Sequence, residues 1–232
     1  MTMTLYFAPG TCARVSLIAL EETDSPFETK VVAFMRGDHR APEFLARNPA
    51  GKVPVLIVDD TAITQNIAIL TYLAGRFPQA RLLPAADSAT SSTALLSRLV
   101  WFSADLHPLV TRIRMPQLIC DLPAAIPRVR EMACEAMKFQ LAELEQALQR
   151  QTWVQGREWS VLDGYLYWVW FRITGAGFDA APFPAIAAHA LRMEERPAVR
   201  RALQREAVAQ AELESLGLSV PMPVLAGTRK AD

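Results

Sequence analysis

From residue 91 onward the chain holds no convincing strand, whereas its first 82 residues alternate short apolar runs with helical patterns. This asymmetry points to a small α/β domain followed by an all-helical one. Leu5–Ala8 is an apolar run stopped by Pro9-Gly10. "APGTCARVSLIALEE", residues 8 to 22, opens a helix with apolar residues at Ala13, Leu17, Ile18 and Leu20. Phe27 to Phe34 reads as a second strand. A short helix follows near Pro42–Arg47, with proline at its start. Val55–Val58 and Ala62–Thr64 are strands around an Asp59-Asp60 turn, and Gln65–Phe77 is a helix closed by Pro78. The serine-rich stretch 83–90 suits a linker and a helix cap. Long helices are expected at about 91–118, 126–150, 161–174, 184–195 and 198–213, and the tail 217–232 is expected to be irregular and partly mobile. The domains are therefore set at 1–82 and 91–216.

At 232 residues, 51% of them hydrophobic, the chain can fill two modest cores. Twenty-four basic residues balance 24 acidic ones, and no basic run of five occurs, which argues against nucleic acid as a partner. The N-terminus carries no basic leader, and the longest apolar region, near Leu166–Ile173, is too short to span a bilayer. Three cysteines (Cys12, Cys120, Cys134) without a CxxC fit a reducing, cytoplasmic compartment. His39, His107 and His189 lie far apart, with no metal-ligand spacing.

Three local features bear on chemistry. Cys12 stands at the first turn of a helix, where unpaired N–H groups stabilise a thiolate by about one pKa unit. Taken alone, a small buried cysteine is the simpler reading. In Asn48–Leu56, a proline enters an apolar strand, so Val53-Pro54 is a candidate cis peptide that leaves the Val53 backbone able to pair with something extended. Taken alone, an ordinary loop-to-strand junction is the simpler account. A helix starting near Gln65 exposes N–H groups able to hold a carboxylate, while simple capping by Thr64 or Asn66 is the plainer account.

LYFAPGTC, NPAGKVPVL and ITQNIAILTYLA, in this order, resemble the thioredoxin-like N-terminal domain of cytosolic glutathione S-transferases. Ser160-Val161-Leu162-Asp163 resembles that family's Ser-x-x-Asp box, with Ser160 capping a helix and Asp163 reaching back to the Ser160 N–H. Gly164 cannot supply the usual staple to Trp159. The resemblance covers residues 4 to 210, and Pro-Gly-x-Cys is most similar to the bacterial beta class. It implies glutathione as co-substrate, no metal, a homodimer, and transfer of the glutathione thiolate to a small hydrophobic electrophile. It implies Cys12 and His107 beside the sulfur, with Thr11 and then Tyr6 as rivals to Cys12. It also implies Val53 and Pro54 on the cysteinyl backbone, Gln65 and Asn66 at the γ-glutamyl end, and Arg36 and Lys52 as basic neighbours. Thiol–disulfide exchange at Cys12 is a second implied mode. On the residues themselves, Tyr6 reads as a packed strand aromatic, Thr11 as a helix cap and His107 as a structural histidine.

The chain departs from the pattern at Gln65 and Asn66, where an acidic residue and serine are usual, and at Val100, where asparagine occurs. These departures motivate an alternative, a non-catalytic scaffold that carries ligands or docks on protein. A weaker alternative is glutathione-dependent isomerisation or dehalogenation. The aromatic cluster Tyr165, Tyr167, Trp168, Trp170 and Phe171 reads as core, Cys120 and Cys134 as inert, and Glu143, Glu145 and the arginines of 192–205 as solvated helix faces.

Overall fold

In the first strand, β1 (Met3–Phe7), the odd residues are buried and the even ones half-buried, the period of two that places a sheet between two layers. The computed structural model describes residues 2–219. β1 pairs in parallel with β2 (Glu28–Val31) and antiparallel with β3 (Val55–Val58), and β3 pairs antiparallel with β4 (Thr61–Thr64). The order β2-β1-β3-β4 with helices α1 (Ala13–Glu22), α2 (Pro42–Leu45) and α3 (Asn66–Arg76) is a thioredoxin-like unit. Of α1, only Glu22 escapes full burial. A helix buried on every side must be central, and α1 packs on β1, α3 and two helices of the second half.

That half contains α4 (Ala89–Trp101), α5 (His107–Arg114), α6 (Ile126–Leu148), α7 (Val161–Thr174), α8 (Pro184–Glu195) and α9 (Pro197–Ser215). Ser88 caps α4 by accepting the Ser91 N–H at 3.1 Å. Asp163 reaches back to the Ser160 N–H at 2.9 Å, completing the capping box read from the sequence. Its other oxygen takes the Val154 N–H and His189 Nε2, so this fully buried carboxylate ties a loop and α8 to the start of α7. The cores of both halves merge into one apolar cluster.

Several expectations change. The first helix begins at Ala13, since the Thr11 N–H closes a turn on Ala8 and Gly10 has φ +68°. A Cβ at Gly10 would also lie 3.2 Å from the Arg172 guanidinium. The second strand is shorter than 27–34, because the chain coils into a 3-10 turn at Phe34–Arg36. The helix expected at 91–118 is interrupted by a π turn, Phe102–Leu106, and ends at Arg114. Pro108 has no N–H for the Ala104 carbonyl, and the His107 N–H reaches five residues back to Phe102.

The arginines at and within α9 are not simply solvated. Arg196 pairs with Glu22 at 2.8 Å, Arg201 with Glu21 at 2.6 Å and Arg205 with Glu21 at 2.5 Å, all across the α1–α9 contact. Glu145 is buried and accepts the Ala185 and Ile186 N–H groups at 2.9 and 3.0 Å, holding the N-terminus of α8. Glu143, by contrast, is exposed and pairs with Arg98. Residues 220–232 of the expected tail lie outside the described residues. Among the described residues no helix is long and apolar enough to cross a membrane, and no cluster of His, Cys, Asp or Glu has the makings of a metal site.

Candidate active site

Three backbone features frame the site: the turn before α1, the cis Val53–Pro54 peptide, and the start of α3. Cys12 is the N-cap of α1, and its thiol donates to the Val53 carbonyl at 3.6 Å. Its pKa moves opposite to the expectation. Burial dominates and pushes the thiol up to about 12, against weaker opposing effects from Asn66, its own backbone N–H and the Lys52 charge. As a residue Cys12 is only half-buried, so it is its sulfur that desolvation controls. The helix end therefore meets a neutral thiol, a hydrogen-bond donor.

Asn66, the first residue of α3, is buried and committed. Its Oδ1 accepts the Ser16 hydroxyl at 2.7 Å and its Nδ2 donates to the Cys12 carbonyl at 3.0 Å. It fastens α3 to α1, leaving its backbone N–H as the group aimed outward from the helix end. Gln65 precedes it with φ +70°, uncommon for a residue with a Cβ, and its side chain is exposed. Lys52 is exposed, and its charge lowers the pKa of both Cys12 and His107, which puts one field across both groups. Its carbonyl accepts from the Asn48 amide at 2.6 Å, while Gly51, with φ +62°, leaves no room for a Cβ against the His39 carbonyl.

The helical half supplies His107, Tyr165 and Trp168. His107 follows the π turn, its Nδ1 lies 3.0 Å from the Tyr165 hydroxyl, and its ring meets Trp168 edge-on at 4.5 Å. Burial, then the Lys52 charge, lower its pKa to about 4, so it is neutral at pH 7. Burial holds the Tyr165 hydroxyl well above its ordinary pKa, so it stays protonated. The Trp168 indole donates to the Gly10 carbonyl at 3.3 Å, and Glu206 of α9 accepts the Gly10 N–H at 3.3 Å. The turn that carries Cys12 is thus clasped from the second half.

The remaining expected residues stand apart from this cluster. The Thr11 hydroxyl donates to the Ala8 carbonyl at 2.7 Å and accepts the Ala13 N–H at 3.3 Å, which is a capping role. Tyr6 packs on Phe44 of α2 with Lys30 and Arg47 over its ring. Arg36 makes a two-pronged ion pair with Asp38 at 2.8 Å on each arm. Val100 is exposed on α4. Sequence reasoning placed Tyr165 in the core and missed its hydroxyl, although the O–H of a fully buried tyrosine usually finds a partner.

A thioredoxin-like unit whose cis-proline loop faces a cysteine, closed over by a bundle of helices, defines a two-domain thiol-handling protein. Comparisons sharpen this class. Residues 1–75 match the family described as glutathione S-transferase, N-terminal domain. Glutathione S-transferase GST-4.5 of Xanthomonas campestris pv. campestris is 34% identical over 205 residues, covering 88% of this chain and 98% of the relative. A sphingomonad glutathione S-transferase solved with glutathione has a TM-score of 0.76 and 34% identity, covering 88% of this chain and 99% of its own. The bacterial beta class enzyme of Sphingomonas chungbukensis also has a TM-score of 0.76, at 30% identity over the same shares. The chain belongs to the glutathione S-transferase family, and beta class enzymes are among its structural neighbours.

Proposed function

We propose that the protein is a glutathione transferase that holds the glutathione sulfur as a thiolate beside Cys12 and passes it to small hydrophobic electrophiles. The observation that carries this is the meeting of Cys12, the Val53 carbonyl and the start of α3, with His107 packed on Trp168, whose indole binds the Gly10 carbonyl of the cysteine turn. Residues 1–82 bind the tripeptide and residues 91–216 present the electrophile. The cysteinyl backbone pairs with Val53 ahead of Pro54. The γ-glutamyl carboxylate meets the α3 N–H groups at Asn66, and Gln65 takes the ammonium group. Lys52 supplies positive potential, while the Arg36 guanidinium is paired with Asp38.

Chemically, the bound thiol releases its proton to solvent. The thiolate attacks carbon, a C–S bond forms, and the leaving group departs with its bonding pair or the electrophile's π electrons shift. Neutral hydrogen-bond donors and the α1 end stabilise the charge before attack. The protonated Cys12 thiol suits such a donor. Disulfide exchange at Cys12 needs its thiolate and is proposed as the slower mode.

The three free thiols fit a cytoplasmic setting. A homodimer is proposed on the exposed Leu96, Val100, Met132 and Phe139 of α4 and α6, neighbouring helices joined by the Arg98–Glu143 pair. The test is calorimetric titration with reduced and oxidised glutathione, then conjugation and disulfide reductase rates for the wild type and Cys12→Ala. Uptake in the millimolar range or tighter, with a fall in either rate, supports the reading. No uptake in either redox form leaves the non-catalytic scaffold, and unchanged rates remove Cys12 from the mechanism.

A further inference from the structure

Ser16 in α1 donates its hydroxyl to Asn66 Oδ1 at 2.7 Å. The orientation of that amide is forced, because the opposite flip would set Oδ1 against the Cys12 carbonyl that Nδ2 now reaches at 3.0 Å. Asn66 thus spends its oxygen on Ser16 and an amide hydrogen on the Cys12 carbonyl. Tyr165 is 0% exposed, so its own proton must find a protein acceptor, and His107 Nδ1 lies 3.0 Å away.

We propose that Tyr165 is a positioning residue, whose hydroxyl donates to His107 Nδ1 and so fixes the imidazole as the Nε2–H tautomer, an uncharged donor for the glutathione sulfur. A histidine whose Nδ1 accepts must carry its proton on Nε2 when neutral. The π turn assists, since the His107 N–H bonded to the Phe102 carbonyl sets the backbone from which the ring projects. Phe102 in turn stacks on Tyr165 with ring centroids 5.5 Å apart, and Trp168 meets the imidazole edge-on. The tyrosine ring is thus packed in place, and its oxygen is spent on the histidine. The titratable and charged groups bearing on the cluster are Cys12 ahead of α1, Lys52 ahead of β3, His107 of α5 and Tyr165 of α7.

The donor role toward sulfur rests on the glutathione reading, whereas the tautomer does not. The full-length, 15N-labelled protein in its free form is examined by long-range nitrogen–proton NMR, with His107 assigned by His107→Gln. The Nε2–H tautomer at neutral pH supports the proposal, and Nδ1–H overturns it. Tyr165→Phe keeps the ring and deletes the hydroxyl. It is expected to leave the far-ultraviolet circular dichroism unchanged and to convert His107 to a tautomer mixture. The thiol of bound glutathione, followed by thiolate absorbance, should titrate about one pH unit higher, the worth of one hydrogen bond. In a His107→Ala background the same change should have no further effect on that titration, and an independent effect there would overturn the proposal. If calorimetry shows no glutathione uptake, the proposed function fails, and the tautomer measured in the free protein still decides what Tyr165 does.

Discussion

Glu206→Ala tests the junction that holds the Cys12 turn. Glu206 and Arg14 leave only 6% of each side chain exposed and meet at 2.5 Å, with the Arg14 Nε also donating to Glu206 at 2.9 Å. The guanidinium lies 3.8 Å from the centroid of Phe171, and the second carboxylate oxygen accepts the Gly10 N–H. Deleting the carboxylate leaves a buried cation unpaired, which costs about 3–5 kcal/mol. The lost Gly10 bond adds about 0.5–1 kcal/mol. A total of about 3.5–6 kcal/mol corresponds to a fall in Tm of roughly 7–24 °C for a chain of this length. The double variant Arg14→Met, Glu206→Leu removes both charges and keeps the volume, so it should recover most of the loss and sit within about 1–2 kcal/mol of wild type, the residue being the cation–π contact. Urea unfolding followed by tryptophan fluorescence measures all three proteins at equal concentration. A loss below about 1 kcal/mol for Glu206→Ala, or a double variant as weak as the single one, would refute the claim that pairing, not packing, governs this contact.

Acid should weaken the protein through His107. Its folded pKa, about 4, lies below the unfolded value of about 6.5, so the unfolded chain binds the extra proton between them. Stability is full above that window and falls as pH drops through it, by on the order of 3 kcal/mol in total. Urea midpoints at several pH values in wild type and His107→Gln isolate this contribution, and an unchanged slope in the variant would contradict it. With burial pushing its thiol up to about 12, Cys12 should alkylate with iodoacetamide at neutral pH at least ~100-fold more slowly than in the urea-unfolded chain, as read by mass spectrometry of its peptide. Gln65→Glu should tighten glutathione binding by roughly three- to tenfold, because a carboxylate holds the ammonium group more firmly, and calorimetry against wild type reads the change.

Elements with an uninterrupted local pattern were legible from sequence. The apolar run Val55–Val58, and the helices Val161–Thr174 and Pro184–Glu195, end where their residue patterns say they should. The π turn at Phe102–Leu106 was hidden because one extra residue in a helical turn barely disturbs the apolar period. Arg201 and Arg205 looked solvated because a charged stripe carries no mark of the partner helix it will meet, and Glu145 looked the same although it caps a helix forty residues away. At the site, position was legible and energetics were not. A helix start predicts a stabilised thiolate, yet the sign at Cys12 is set by burial of the thiol, which tertiary packing and not the local pattern decides. The hydroxyl of Tyr165 escaped for the same reason, as its partner, His107, lies on α5.

The clasp on Gly10 carries an evolutionary consequence. Its amide and carbonyl are both bound by side chains encoded more than 150 residues downstream, Glu206 and Trp168. A chimera joining this thioredoxin-like half to the bundle of another family member would lose the shape of its cysteine turn unless the donor offered a carboxylate and an indole at matching places. Recombination between relatives is therefore expected to keep a stable cysteine turn where the incoming bundle already fits that grip.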